Sequence, residues 1–296
     1  LDAADRARLI EKTKAMGLYG LDIPPAFGGP DIDLVTRTLM AVEMAQHRAG
    51  LYAPCYGTFG GAGLAQLFEA TEEQKEKYLY PTLRGEKRGF FGLSEPSGGS
   101  DPARAIQTKA VQDGDDWIIN GGKLWISGAD KAQYGLVFAR TANDKGRNGV
   151  TCFIVDTDTP GFAVRRIVHT LRSAHYATEL SFEEMRVPAS NILGELNKGF
   201  AIANDRLTKQ RIPYAAGCIG VAIKAQEMAL EYVPQRETFG APLSSRQSIQ
   251  WMLVDNEIDI KQSLWITLEA AAKAERGENF RKEAAMAKLV ATEAGG

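Results

Sequence analysis

The sequence predicts an α+β fold with an N-terminal helical block (1–86), a central antiparallel β-barrel-like domain (87–190) and a C-terminal helical bundle (191–296). Three observations carry that expectation. Apolar residues recur at helical spacing before Gly89. From Gly89 to Pro188 they alternate, or cluster in short β-branched runs punctuated by Gly and Asp. Beyond Pro188 long stretches rich in small residues return, a composition that lets helices pack closely.

Asp2 to Met16 is charged and amphipathic, with Leu9, Ile10 and Met16 on one face; Gly17 and Gly20 end it. Pro24-Pro25 and Gly28-Gly29-Pro30 form a rigid loop. Asp31 to Ala49 reads as a helix through Leu34, Val35, Leu39, Val42 and Ala45. Ala53 to Leu67, rich in Gly and aromatics, suits either a tightly packed helix or a loop. Thr71 before Glu72-Glu73-Gln74 resembles a capping box, for a helix that runs to about Leu83 and stops at Gly85.

The strand-like runs are Phe90–Leu93, Ile106–Val111, Trp117–Asn120, Leu136–Ala139, Val150–Val155, Ala163–Ile167 and Glu179–Phe182. Asp113-Gly114-Asp115, Gly121-Gly122, Lys145-Gly146 and Pro160-Gly161 punctuate them. No helical stretch separates them, so the βαβ pattern of a Rossmann domain is absent. Pro188 marks the return to helix. Gly199 to Val233 is one long segment in which Pro213 imposes a kink or break near Arg211. Ser244 or Ser245 is placed to cap the next helix, which runs to Glu275 with Ile249, Met252, Leu253, Ile258, Leu264 and Leu268, and Gly277 ends it. Phe280 to Thr292 starts another.

Composition narrows the function classes. With 35 basic and 37 acidic residues the net charge is −2, which gives no support for nucleic acid or anionic membrane as the main partner. No apolar run approaches the roughly 18 residues of a membrane helix. Neither a signal nor a transit peptide is visible, and a start at Leu1 rather than Met suggests a mature or trimmed chain. Cys55, Cys152 and Cys218 are odd in number and contain no CxxC, so neither a disulfide framework nor a zinc site is expected, and no metal. Reduced, buried thiols fit a cytoplasmic protein, or a mitochondrial matrix protein if the source is eukaryotic.

The stretch that carries chemistry is Gly89 to Asp101, GFFGLSEPSGGSD. An apolar run breaks into a polar turn in which Pro96 fixes φ, Gly98 and Gly99 free the backbone, and Ser94, Ser97 and Ser100 supply hydroxyls. Such a segment either lines a flat polar ligand and cradles a pyrophosphate with backbone N–H groups, or is an ordinary Ser/Gly turn. It matches neither GxGxxG nor GxxxxGK[ST].

SEPSGGSD is similar to the TEP-x-A-GSD segment of the acyl-CoA dehydrogenase family. Lys123-Leu124-Trp125-Ile126-Ser127 resembles that family's K-x-W-I-[TS], and Arg236-Glu237-Thr238-Phe239-Gly240 with Gln247 resembles R-x-x-F-G…Q. The three motifs stand in the family's order, as do the helix, β and helix blocks, and the family has a helix over Ala53 to Leu67. The resemblance implies FAD as cofactor, an acyl-CoA substrate and an electron-transfer flavoprotein as electron acceptor. It implies that Phe91, Gly92, Leu93 and Ser94 border the isoalloxazine and that Gly99 and Ser100 meet the pyrophosphate. Trp125 and Ile126 lie against the flavin, with Ser127 near its N5. Arg236, Thr238, Phe239 and Gln247 reach the FAD of a neighbouring subunit, which implies a homodimer or homotetramer.

Alternatives accompany several of these. Trp125 is either a core tryptophan or a flavin contact, and the motif favours the flavin. Arg236 is otherwise a solvated helix-end arginine, and Pro234 departs from the family pattern before it. Ser100, Thr208, Gln210 and Arg211 are expected along the CoA arm, with a helix-surface role as the alternative for Arg211. No catalytic base is assigned: some family members carry a glutamate just before the helix arginine, but Gln210 stands there and an amide cannot act as base. The glutamate is expected beyond residue 296, in a chain truncated at both ends. Glu43, Glu95, Asp101 and Glu179 read as structural carboxylates. The segment Thr170 to Tyr176 departs from the family, and His175 reads as a loop residue. Two rivals remain open. One is a divergent flavin enzyme (acyl-CoA desulfinase, oxidase or monooxygenase). The other is a flavin-binding interaction protein without turnover.

Overall fold

The computed structural model describes residues 3–46, 65–143, 148–169 and 177–296. Cys55, His175, most of Ala53 to Leu67 and the end of the helix expected to reach Ala49 lie outside the described residues. The chain forms two compact units, one of Gly60–Arg206 and one of Leu1–Phe59 with Leu207–Gly296.

The Gly60–Arg206 unit is built on an eight-stranded sheet, β1 Gly89–Gly92, β2 Lys109–Asp113, β3 Asp116–Ser127, β4 Tyr134–Arg140, β5 Val150–Asp156, β6 Phe162–Val168, β7 Ala177–Pro188 and β8 Ile192–Leu193. The order is β6-β7-β3-β2-β4-β5-β8, with β1 joined to β4. Two features differ from a closed antiparallel barrel. β1 and β2 both pair with β4 in parallel. The sheet also stays open, because its edge β8 has only two residues and is too short to zip along the seven of β6. β4 and β5 are buried along nearly their whole length, as their unbroken apolar runs require. Their side chains join Phe90, Trp117, Ile119, Leu180, Phe182 and Met185 in one core.

Gly121-Gly122, read from the sequence as a break, lies inside the twelve-residue β3. The glycines serve close approach: a Cβ at Gly121 would stand 2.7 Å from Thr108, and one at Gly122 2.8 Å from the Leu180 carbonyl. The capping box forms as expected, with Thr71 and Gln74 bonded reciprocally at the start of α3 (Glu72–Gln74). A π-turn over Lys75–Leu79 leads on to α4 (Tyr80–Leu83). A short α5 (Pro102–Ala105) follows the polar turn after β1.

In the other unit, α1 (Ala3–Ala15) ends before Met16, which is exposed rather than on the helix's apolar face. α2 (Leu34–Met44) starts later than expected because Asp33 caps it, accepting from Thr36 N at 2.8 Å. The long segment from Gly199 is broken as Pro213 demands, into α6 (Gly199–Lys209), whose residues up to Arg206 belong to the Gly60–Arg206 unit, and α7 (Arg211–Tyr232), with Gln210 between them. α8 (Gln247–Glu275) and α9 (Arg281–Ala294) follow. Ser244 and Ser245 do not cap α8: Ser245 Oγ donates to the Pro242 carbonyl instead, and Arg246 is the capping position. Met252 and Ile258 are exposed, because α8 turns inward the face that carries Ile260, Ser263, Thr267, Ala270 and Ala271. Ile260, Ala270 and Ala271 share one core with Ala215, Ala216 and Ile219 of α7 and Ala284, Ala287 and Ala291 of α9. Among the described residues no helix is long and apolar enough to cross a membrane.

Candidate functional site

The polar turn hangs from the end of β1. Phe91 packs on Phe138 with ring centroids 5.0 Å apart, and the Arg206 guanidinium carbon lies 4.8 Å above the Phe91 ring. Arg206, which the sequence did not single out, also donates to Gln66 Oε1 at 3.2 Å. Gly92 and Leu93 are buried, and Ser94 is half-buried. The chain then closes a tight turn in which Gly98 N donates to the Glu95 carbonyl at 3.1 Å. Gly99 and Ser100 are exposed, and a Cβ at Gly99 would meet nothing within 4 Å, which leaves the backbone open to a ligand. Asp101 pairs with Arg104 at 3.1 Å and Glu179 with Arg166 at 2.5 Å, so both carboxylates hold local structure.

The second motif stands at a bulge. The pairing of β3 with β7 shifts register between Lys123 and Ile126, and Trp125, in the bulge, has φ +64°. A tryptophan in left-handed backbone is strained. Trp125 is 57% exposed, so it is not a core residue. Ile126 points into the core, and Ser127 is exposed like Trp125. The Leu124 N–H donates to the Ser94 carbonyl at 2.9 Å, which binds the first two motifs directly together.

Beneath them lies a pair that no local pattern revealed. Lys123 is fully buried, and its ammonium donates to Glu95 Oε1 at 2.7 Å, the Phe138 carbonyl at 2.6 Å and the Leu93 carbonyl at 3.3 Å. Glu95 in turn accepts from Gln107 N at 2.6 Å and Thr108 N at 3.1 Å. Burial pushes the Lys123 pKa below its ordinary value, against the upward pull of the Glu95 carboxylate. Glu95 is therefore structural, as its sequence context suggested, through a buried ion pair with Lys123.

The remaining candidates belong to the unit that contains Leu207–Gly296. Thr208, Gln210 and Arg211 gather at the break between α6 and α7, where Arg211 Nη1 donates to Thr208 Oγ1 at 3.4 Å. After α7, β9 (Glu237–Thr238) and β10 (Ala241–Pro242) form a hairpin. Its two turn residues, Phe239 at φ +50° and Gly240 at φ +74°, both adopt the left-handed backbone of a type I′ turn. Phe239 is 99% exposed. Arg246 holds the hairpin to the start of α8, donating to the Thr238 carbonyl with its guanidinium 6.0 Å from the Phe239 ring. Arg236 and Gln247 flank this hairpin and are exposed. The third motif is thus a single displayed feature, an aromatic hairpin tip between an arginine and a helix start.

The sequence profiles of the acyl-CoA dehydrogenase N-terminal, middle and C-terminal domains match residues 2–86, 90–185 and 197–295. A probable acyl-CoA dehydrogenase of Bacillus subtilis is 38% identical over 287 residues, 96% of this chain and 75% of the relative. The structure of butyryl-CoA dehydrogenase from Megasphaera elsdenii superposes with a TM-score of 0.85 at 35% identity, over 96% of this chain and 76% of that one. A chain in the structure of the electron transferring flavoprotein of Acidaminococcus fermentans has the same TM-score at 34% identity, covering 97% of this chain and 76% of its own. With profiles spanning the helical, sheet and helical regions in order, and relatives matched along almost all of its length, the chain belongs to the acyl-CoA dehydrogenase family of oxidoreductases.

Proposed function

We propose that this chain binds FAD and an acyl-CoA thioester and introduces a double bond between Cα and Cβ of the acyl group. The observation that carries the reading is Trp125, a strained tryptophan held outward beside an exposed Ser127 and bonded through its neighbour to Ser94. The residues fit a flavin. Trp125 offers a flat aromatic face, Ser94 and Ser127 offer hydroxyls for the ring edge, and the open backbone at Gly99 and Ser100 suits a pyrophosphate. FAD, when bound, supplies the oxidant that takes the hydride from Cβ.

The chain's own residues bind and orient. Ser127 donates at the flavin edge. Phe91, Gly92, Leu93 and Ile126 form the apolar wall behind it, with Leu93 and Ile126 buried. Ser100, Thr208, Gln210 and Arg211 hold the CoA arm, and the Arg211–Thr208 bond at 3.4 Å presets the arginine. No base for the α-proton is assigned among residues 1–296, since Gln210 has no basic oxygen to offer. The electron acceptor proposed is an electron-transfer flavoprotein, and the proposed compartment is the cytoplasm, or the mitochondrial matrix in a eukaryote.

The proposed assembly is a homodimer or homotetramer in which Arg236, Thr238, Phe239 and Gln247 reach a neighbouring subunit's FAD. Trp251, Met252 and Trp265, all exposed on α8, support it as apolar surface of the kind that subunits cover. The test is anaerobic addition of acyl-CoAs of graded chain length to the FAD-loaded protein. Bleaching of the flavin band with release of an enoyl-CoA is expected. A flavin that stays oxidised with every acyl-CoA refutes the assignment.

A further inference from the structure

The buried pair of Lys123 and Glu95 joins four strands or strand ends at one point. Its bonds run to Leu93 after β1, to Gln107 and Thr108 before β2, to Phe138 in β4, and start from Lys123 in β3. All three ammonium donors have acceptors, and the carboxylate accepts two backbone N–H groups besides the ammonium. Such a pair contributes little net stability, because desolvating both charges offsets most of their attraction, and well-packed apolar replacements often cost nothing. What it does supply is direction: its bonds tie Leu93, Gln107, Thr108 and Phe138 to a single point.

Ser94 directly precedes Glu95, and Trp125 follows Lys123 by two residues at the bulge. The two motif residues, half-buried Ser94 and exposed Trp125, are thus the outer ends of a clamp whose buried half is the ion pair, and the bond from Leu124 N to the Ser94 carbonyl closes it. The left-handed backbone of Trp125 needs such an anchor, because a strained conformation persists only where its surroundings over-determine it.

We propose that Lys123 and Glu95 are positioning residues that set the spacing of Ser94 from Trp125 and Ser127, and so shape the edge at which the flavin ring is received. The part of this that concerns the flavin rests on the proposed function, whereas the clamp itself is tested without flavin.

The experiment compares Lys123→Met, Glu95→Gln and the double variant Glu95→Gln/Lys123→Met with the wild-type protein. Lys123→Met strands the Glu95 carboxylate and the Leu93 and Phe138 carbonyls, and Glu95→Gln leaves the buried ammonium without its counter-charge, so both are expected to lower Tm; the double variant leaves no buried charge unpaired and recovers part of the loss. In the flavin-free double variant, amide hydrogen exchange at Leu124 and Trp125 is expected to rise well above wild type while the rest of the sheet stays protected. In the FAD-loaded form its FAD affinity is expected to fall about tenfold. Its bound-flavin circular dichroism and reduction potential shift, and its flavin reduction slows by about 100-fold. A double variant with recovered Tm and wild-type exchange, affinity, spectrum and potential overturns the proposal. If it does not fold, Glu95→Asp takes its place: both charges remain but the reach is shortened. The same exchange, spectral and potential changes are then expected at nearly wild-type Tm, and their absence overturns the proposal equally. A wild-type protein that binds no FAD sinks the proposed function but leaves the exchange comparison to decide the clamp.

Discussion

Phe239→Asn moves two measurements in opposite directions. Phe239 is the first turn residue of the β9–β10 hairpin, at φ +50°, followed by Gly240 at φ +74°. A left-handed backbone costs a residue such as Phe about 1–2 kcal/mol, and Asn-Gly is the pair this turn prefers. The ring is 99% exposed, so truncating it uncovers no apolar surface within the chain. Among the described residues the loss is the stacking of Arg246 on the ring, about 0.5–1 kcal/mol at an exposed site. The net is a gain near 0.5–1 kcal/mol, worth about 1–4 °C in Tm for a unit of this size. If Phe239 is covered by a second subunit and its FAD, as proposed, full burial of the ring contributes about 1.5–3 kcal/mol there. Its loss weakens FAD retention and assembly by about 10- to 100-fold. The assays are urea unfolding of flavin-free protein and FAD titration with light scattering. Unchanged FAD retention and assembly would refute the intersubunit role, and a fall in stability would refute the strain argument.

Ser127→Ala is expected to leave FAD bound but to shift its reduction potential and slow its reduction by acyl-CoA, measured by stopped-flow absorbance; an unchanged spectrum and rate would sink the assignment. Two glycines on α7 should respond in opposite senses. Gly217→Ala gains about 1 kcal/mol of helix propensity in open space, whereas a Cβ at Gly220 would lie 2.1 Å from the Val42 carbonyl, and the resulting clash costs about 1–3 kcal/mol. Thermal unfolding that moves both variants the same way contradicts the close α2–α7 packing. Cys152 is fully buried and its thiol is pushed above its ordinary pKa, so iodoacetamide followed by peptide mass spectrometry should find it unmodified in native protein. The sign of its pH dependence follows: the folded state keeps a proton that the unfolded chain releases, so Cys152's share of stability is present below the ordinary thiol pKa and declines as pH rises beyond it.

What was legible in the sequence follows from how local each signal is. Thr71 and Gln74 sit three residues apart and bond to each other, so their capping box could be read directly. Pro213 breaks its own helix, and the break came within a residue or two of Arg211. Gly121-Gly122 was misread because a glycine needed for close approach to another strand looks like one needed for a turn. Ser244 and Ser245 were misread because a preceding 3₁₀ turn used them first. The apolar residues from Ile249 to Leu268 marked α8 as a helix but not the face it buries: Ile260, Ser263, Thr267, Ala270 and Ala271 are buried, whereas Met252 and Ile258 are exposed. The Lys123–Glu95 pair had no local signature at all: its members lie 28 residues apart and meet only once the sheet pairs β1 with β4, β4 with β2 and β2 with β3. The motif residues were found through resemblance; their spacing alone allowed an ordinary turn.

Among the described residues four other than glycine have a left-handed backbone: Trp125, Glu184, Asn197 and Phe239. Two of them are compensated inside the chain. Glu184 exchanges two hydrogen bonds with Asn120, at 2.6 and 2.8 Å. Asn197 accepts from Thr141 at 2.7 Å, and its N–H donates to Thr151 at 2.8 Å. The other two are large aromatics, a residue type that pays most for this conformation, and their rings face outward. Strain that brings an aromatic ring no burial in its own chain is accounted for when another surface covers the ring. Trp125 and Phe239 are also the aromatic residues of the second and third motifs. The backbone outliers and the motifs are independent observations, one from geometry and one from sequence, and they select the same two side chains. On the proposed function the covering surfaces are the flavin over Trp125 and a neighbouring subunit with its FAD over Phe239. The fold then holds both rings in place before either surface arrives.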